Sequence, residues 1–319
     1  MTFIATVIAK KGAALIADSL VTTSRQVLEF DDFYDYLSKK NKDNESGEIK
    51  IDTAEVINLF VTKPSHTKDY QEKLFEYERF IAISTAGAAN LNDKSLEQII
   101  NEAKAKFTNR DQLTLDEKIS QLKGHFNEEA VQSLKNGNAV RNTVLIITNY
   151  NPETHLTKVY KLEINETRPA ELEDNIECVS INEQPEISTV VCEGQNRISE
   201  KILWGDLETV VDFIPRVARK IFKDFNIDKD KIPPNYIEEL WKDKDILHKA
   251  FWEDIKIGKL RELSMQQAID FACLLMKIER DIQKYTENIP TVGGNVKIAI
   301  IDDNGFRFIS GEDIIVKDF

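Results

Sequence analysis

Thr2-Phe3-Ile4-Ala5-Thr6-Val7-Ile8-Ala9-Lys10-Lys11-Gly12-Ala13-Ala14-Leu15-Ile16-Ala17-Asp18-Ser19 sets two apolar runs on either side of a Lys-Lys-Gly break. Residues 3–9 are nearly all apolar, which predicts a strand buried on both faces. Lys10-Lys11-Gly12 makes a turn, with Gly12 able to take a positive φ. Ala13 to Ala17 is a second apolar run that stops abruptly at Asp18-Ser19. The stretch therefore reads as a buried hairpin at the start of the chain.

Working outward, residues 24–70 break the pattern and read as an insertion, polar between Lys39 and Glu48, with an added strand at Val56–Val61. The regular pattern returns at Lys73-Leu74-Phe75 and the strand Phe80–Ser84. The small residues Thr85-Ala86-Gly87-Ala88-Ala89 follow, a junction where another group can approach the backbone closely. Ser95 with Gln98 and Thr114 with Glu117 form capping boxes at the starts of two amphipathic helices. Strands are expected at Thr143–Ile147, Leu156–Leu162 and 187–192. A helical pattern runs from Ile198 to about Phe225, interrupted by Pro215. Residues 208–262 read as a second, helical insertion. Its aromatic residues Tyr236, Trp241, Phe251 and Trp252 are either a small core of their own or a partner surface. Ser264 with Gln267 caps a long helix at 265–285, and a hairpin closes the pattern, with strands at Val296–Ile301 and Phe306–Ile309 around Asp303-Asn304-Gly305. Strands come in consecutive pairs and helices in pairs. That order argues for an α+β protein with antiparallel sheets and outer helices, for which a four-layer αββα sandwich is one solution.

Composition narrows the function. The 319 residues include 42 Lys+Arg against 55 Asp+Glu, a net charge of -13. Such a balance argues against nonspecific binding to nucleic acid or anionic membranes. No apolar run is long enough to span a bilayer, and no basic region precedes the first apolar stretch, so no secretory signal is expected. Cys178, Cys192 and Cys273 lie far apart without CxxC spacing, and the four histidines include no HExxH. Neither a disulfide framework nor a metal site nor a cofactor is expected. The reading is a cytoplasmic protein.

Thr2 carries the chemistry. Removal of Met1 is favoured by a small second residue and would leave a threonine whose α-amine lies beside its own hydroxyl, a recognised nucleophile–base pair. An unperturbed α-amine titrates near ~7.7–8.0, and a nearby cation lowers that value into the useful range for a base.

The surrounding pattern, Thr2-x(3)-Thr6-Val7, Lys11-Gly12, Leu15-Ile16-Ala17-Asp18-Ser19 and Thr22, resembles the start of mature proteasome β-type subunits and their bacterial HslV-type relatives. Further segments resemble the family in the correct order. Lys73-Leu74-Phe75 precedes Thr85-Ala86-Gly87-Ala88-Ala89-Asn90, with fourteen positions between Lys73 and Gly87. Glu279-Arg280-Asp281 and Thr291-Val292-Gly293-Gly294, with the strand after it, resemble the family ending. The resemblance covers about two-thirds of the chain and leaves out both insertions. It implies one N-terminal-nucleophile (Ntn) hydrolase domain over 1–319, an αββα sandwich, and hydrolysis of an amide through an ester on Thr2. It also implies a peptide or unfolded-protein substrate, assembly into a homo-oligomeric ring, and an ATPase unfoldase as a separate chain, since no Walker A motif is present.

Residue by residue, Thr2 would be the nucleophile, Asp18 and Lys73 its charged neighbours, Gly87 the oxyanion donor and Asp281 a supporting carboxylate. Val21, Thr22, Thr85 and Ala89 would line the substrate cleft. Two positions depart from the family pattern, and a second lysine competes for the site. Glu193 replaces a serine and could hold the α-amine protonated, Val292 replaces another serine, and Lys63 rivals Lys73 for the site. The alternative is a non-catalytic ring or scaffold component that binds a partner through its insertions.

Overall fold

A computed structural model describes residues 2–42, 51–68, 71–106, 112–169, 176–184, 189–204, 216–217, 219–224, 260–286 and 290–309. The chain mixes helices with antiparallel sheets. Strands β1 (Phe3–Ala9) and β2 (Gly12–Ala17) form the expected hairpin. They continue into a five-stranded sheet with β12 (Val190–Gly194) beside β1, and β13 (Lys297–Asp302) and β14 (Gly305–Phe308) beyond β2. A second five-stranded sheet runs in the order β11 (Val179–Glu183), β10 (Leu156–Ile164), β9 (Thr143–Asn151), β6 (Ile81–Gly87), β5 (Leu74–Glu78).

The period-2 alternation of β1 explains its unbroken apolar sequence. Phe3, Ala5 and Val7 join a cluster with Ala268, Ala272, Leu275 and Met276 of helix α6 (Met265–Thr286) and Leu203 of α5 (Arg197–Trp204). Ile4 points the other way. With Leu15 and Ala17 it packs against Leu74, Ala82, Ala86 and Ile146 of the second sheet. Thr6 and Thr148, both fully buried, satisfy each other's hydroxyls at 3.1 Å. The opposite face of the second sheet, through Ile83, Leu145, Ile147 and Leu162, packs on α3 (Leu96–Lys106) and α4 (Leu115–Lys135). Both capping boxes form. Ser95 and Gln98 exchange bonds of 2.8 and 3.1 Å, and Thr114 and Glu117 do the same at 2.8 and 3.3 Å.

The first insertion differs from its reading. β3 (Val21–Leu28) starts earlier and pairs with β4 (Phe60–Lys68) as a separate ribbon, with helix α1 (Phe30–Lys42) between them. Val56 and Ile57 belong not to a strand but to a short helix, α2 (Thr53–Ile57). Asp52 is the cause: its side chain accepts the Ala54 N–H at 2.8 Å and caps a helix there. β7 (Asn90–Leu91) and β8 (Lys94–Ser95) make a small hairpin ahead of α3. β11 was not anticipated; it is a short edge strand with only Val179 buried. The aromatic residues Tyr236, Trp241, Phe251 and Trp252 lie outside the described residues, as does most of 208–262.

Candidate active site

Asp18 follows the last residue of β2, where the strand carries it into the protein. Its side chain is fully buried. One carboxylate oxygen accepts the Phe3 N–H at 3.1 Å and the Lys73 ammonium at 2.9 Å; the other accepts the Gly293 N–H at 3.0 Å. Asp18 thus ties together the start of β1, the residue before β5 and the Gly293-Gly294 loop. Lys73 donates also to the Leu20 carbonyl at 2.6 Å. Burial dominates this pair. It pushes the Asp18 carboxyl up, against the opposing pull of Lys73 and the two amides, and it pushes Lys73 down, against the pull of Asp18. Lys63, the rival lysine, pairs with Glu29 on the β3–β4 ribbon, half-exposed.

Beside this pair opens a cavity of about 350 Å³. Thr2, Lys73, Gly87, Val21, Thr22, Thr85 and Ala89 all line it, so three of the five expected catalytic positions and all four cleft positions meet around one space, and a fourth catalytic position, Asp18, is bound to Lys73 behind the wall. Two glycines permit the arrangement. Gly87 has φ +108, and a Cβ there would lie 2.5 Å from the Asn142 carbonyl oxygen. Gly194 has φ +92, and its Cβ would lie 1.9 Å from the Thr2 carbonyl oxygen. That carbonyl accepts the Gln195 N–H at 2.6 Å, which holds Thr2 in place from its C-terminal side.

Asp281 does not join the site. It lies outside the cavity lining and pairs with Lys284 at 3.2 Å and Arg280 at 3.3 Å. Partial burial pushes its carboxyl up, but these two cations outweigh that and hold it below the ordinary value. The reason is helical geometry. Ala272, Leu275, Met276 and Glu279 recur at spacings of three and four and face the core, and position 281 falls about 200° round from 279. Gln283, four residues after Glu279, is back on the inner face. Its Oε1 accepts the Thr291 and Val292 N–H groups at 2.7 and 3.0 Å and so supports the Gly293-Gly294 loop. Glu279 accepts the Ile198 and Ser199 N–H groups at 3.0 and 2.6 Å, docking the start of α5. Gln283 was missed in the sequence, although its step of four from Glu279 was visible there.

Glu193 does not face Thr2 as an unpaired carboxylate: it is bound by Lys161 at 2.6 Å. Further residues line the cavity without having been anticipated as site residues, Gln71 and Arg141 among them. Gln71 donates to the Ala89 carbonyl at 2.9 Å and braces the cleft wall, and Arg141 brings a cation to the rim. Gln71 lies only two residues before Lys73, whereas Arg141, an exposed residue just before β9, carried no signal. No family model matches the chain, and no curated protein matches its sequence. No helix among the described residues is long and apolar enough to cross a membrane.

Proposed function

We propose that this chain is an N-terminal-threonine hydrolase of the proteasome β superfamily, a peptidase or amidohydrolase that works through an acyl ester on Thr2. One observation carries the reading: Thr2, Lys73, Gly87 and the four cleft residues line a single cavity backed by the buried Lys73–Asp18 pair. In support of an αββα Ntn sandwich, α5 and α6 pack on the first sheet, α3 and α4 on the second, and a shared apolar cluster lies between the sheets.

In this reading Met1 is removed and the Thr2 α-amine becomes free. The Lys73 charge lowers the pKa of that amine, so that a useful fraction is neutral near pH 7. The amine takes the hydroxyl proton as Oγ1 forms a bond to the substrate carbonyl carbon. The oxyanion that develops is met by the Gly87 N–H. Collapse breaks the C–N bond, and the leaving amine departs with the proton. Water then adds to the ester, and its breakdown frees the acid and restores the threonine hydroxyl. Val21, Thr22, Thr85 and Ala89 offer a small, partly apolar cleft to a peptide or an unfolded segment. The family reading extends to a homo-oligomeric ring, a cytoplasmic setting and an ATPase unfoldase on a separate chain.

The test is intact mass before and after incubation with a threonine-directed β-lactone or epoxyketone. The expected result is loss of Met1 and one adduct per chain, absent in Thr2→Ala. Retained Met1 with no adduct would overturn the catalytic reading and favour the non-catalytic ring component.

A further inference from the structure

On the opposite side of the second sheet, α3 and α4 bring Glu102, His125 and Glu129 together. One ligand atom from each lies within 4.8 Å of the other two. His125 and Glu129 are four residues apart, so they project from one face of α4, and Glu102 comes from α3. His125 supplies an independent observation. Its side chain is 93 % buried, with 7 % exposed, and neither ring nitrogen has a hydrogen-bond partner. Nε2 lies 3.9 Å from a Glu102 oxygen and Nδ1 lies 3.7 Å from a Glu128 oxygen, both too long for hydrogen bonds. A buried imidazole with both nitrogens unsatisfied is costly unless something completes it.

We propose that Glu102, His125 and Glu129 form a binding site for a first-row divalent cation such as zinc. An imidazole nitrogen with two carboxylates suits such a metal. Bonds of ~2.0–2.2 Å require only small side-chain movements from the present spacing, with water completing the shell through the half-exposed Glu102. Lys94 now stands between the carboxylates, 2.7 Å from Glu102 and 2.8 Å from Glu129. Its ammonium is the competitor: the cation displaces it, and the long side chain swings into solvent. The site is independent of the cleft chemistry. It also bears on the β7–β8 turn, because Asn92 donates to the second oxygen of Glu129 at 2.7 Å.

The experiment uses the full chain, stripped with a chelator and titrated with zinc chloride by calorimetry, with cobalt chloride as a spectroscopic probe. One equivalent is expected to bind saturably, with a visible cobalt d–d band. His125→Gln and Glu102→Gln are each expected to weaken binding by at least about 100-fold, whereas Lys94→Met tightens it. Glu102 is exposed enough that Glu102→Gln keeps its fold, which circular dichroism verifies. No saturable binding to the wild type would overturn the proposal and leave a lysine-bridged ion network. Undiminished binding in both the Glu102→Gln and the His125→Gln chains would also overturn it.

Discussion

Lys73 meets Asp18 at 2.9 Å beside the cavity, and Lys94 meets Glu129 at 2.8 Å across the α3–α4 side. The groups and distances are alike, but their surroundings are not. Side-chain exposure is 5 % and 0 % in the first pair, against 35 % and 11 % in the second. In the first pair burial wins, lowering Lys73 and raising Asp18. In the second, the hydrogen bonds that Lys94 donates to Glu102 and Glu129 win and raise Lys94. Glu129 falls below its ordinary value because Asn92 and Lys94 together outweigh its burial. Ion-pair geometry alone therefore does not set the sign of a shift; the loss of water does.

The strongest way to break this contrast is to remove one partner from each pair. Asp18→Ala strands a buried ammonium and also leaves the Phe3 and Gly293 amides without their acceptor. It is expected to cost about 3–5 kcal/mol in urea unfolding. The double variant Asp18→Asn with Lys73→Met should recover part of that loss. Lys94→Met, where the lysine is a third exposed and Asn92 still donates to the Glu129 carboxylate, should cost less, about 1–2 kcal/mol. Equal losses at the two sites would show that burial does not separate them.

The two lysines should also titrate in opposite directions from their ordinary value. Detected by NMR at the lysine side-chain methylenes, Lys73 should deprotonate below the ordinary value of 10.5 and Lys94 above it. For Lys94 the folded protein binds the proton more tightly than the unfolded chain. Its contribution to stability is thus fully present below 10.5 and lost as pH rises through the raised folded value. For Lys73 the sign reverses. Between its lowered value and 10.5 the unfolded chain holds more protons, so this group's contribution rises with pH in that window. A reversed order of the two lysines would contradict the burial account.

A smaller effect of burial is expected at a thiol. Cys192 lies in β12 next to β1, is 8 % exposed, and is pushed up to about 12 by burial. At pH 8 it should resist a disulfide reagent in the folded protein, with the partly exposed Cys273 reacting first. Addition of denaturant should make all three thiols reactive. Rapid labelling of native Cys192 would mean that the β1–β12 edge opens readily.

Much of the framework was legible because local signals and tertiary packing agree. The β1–β2 hairpin follows from an apolar run, a glycine and a second apolar run. The two capping boxes are each written within four residues. α6 follows from its spacing of three and four, and the closing hairpin from Asp303-Asn304-Gly305. Val56 and Ile57 misled because two β-branched residues favour a strand, whereas a single Asp52 cap was enough to start a helix. β11 was hidden because an edge strand with one buried residue carries little hydrophobic pattern.

At the candidate site, sequence alone determined which chemical groups are present: Thr2 in second position, Asp18 at a strand end, Lys73 before another, and small residues around Gly87. Their order matched a pattern that can be read along the chain. Which of them meet depends on the packing of the two sheets and their helices. It brought Lys73 to Asp18 across 55 positions and Gly293 to Asp18 across 275. It turned Asp281 toward solvent in favour of Gln283, and it gave Glu193 to Lys161. Those outcomes depend on which face of a strand or helix is buried and on how much water each charge keeps. Both are properties of packed layers rather than of neighbouring residues.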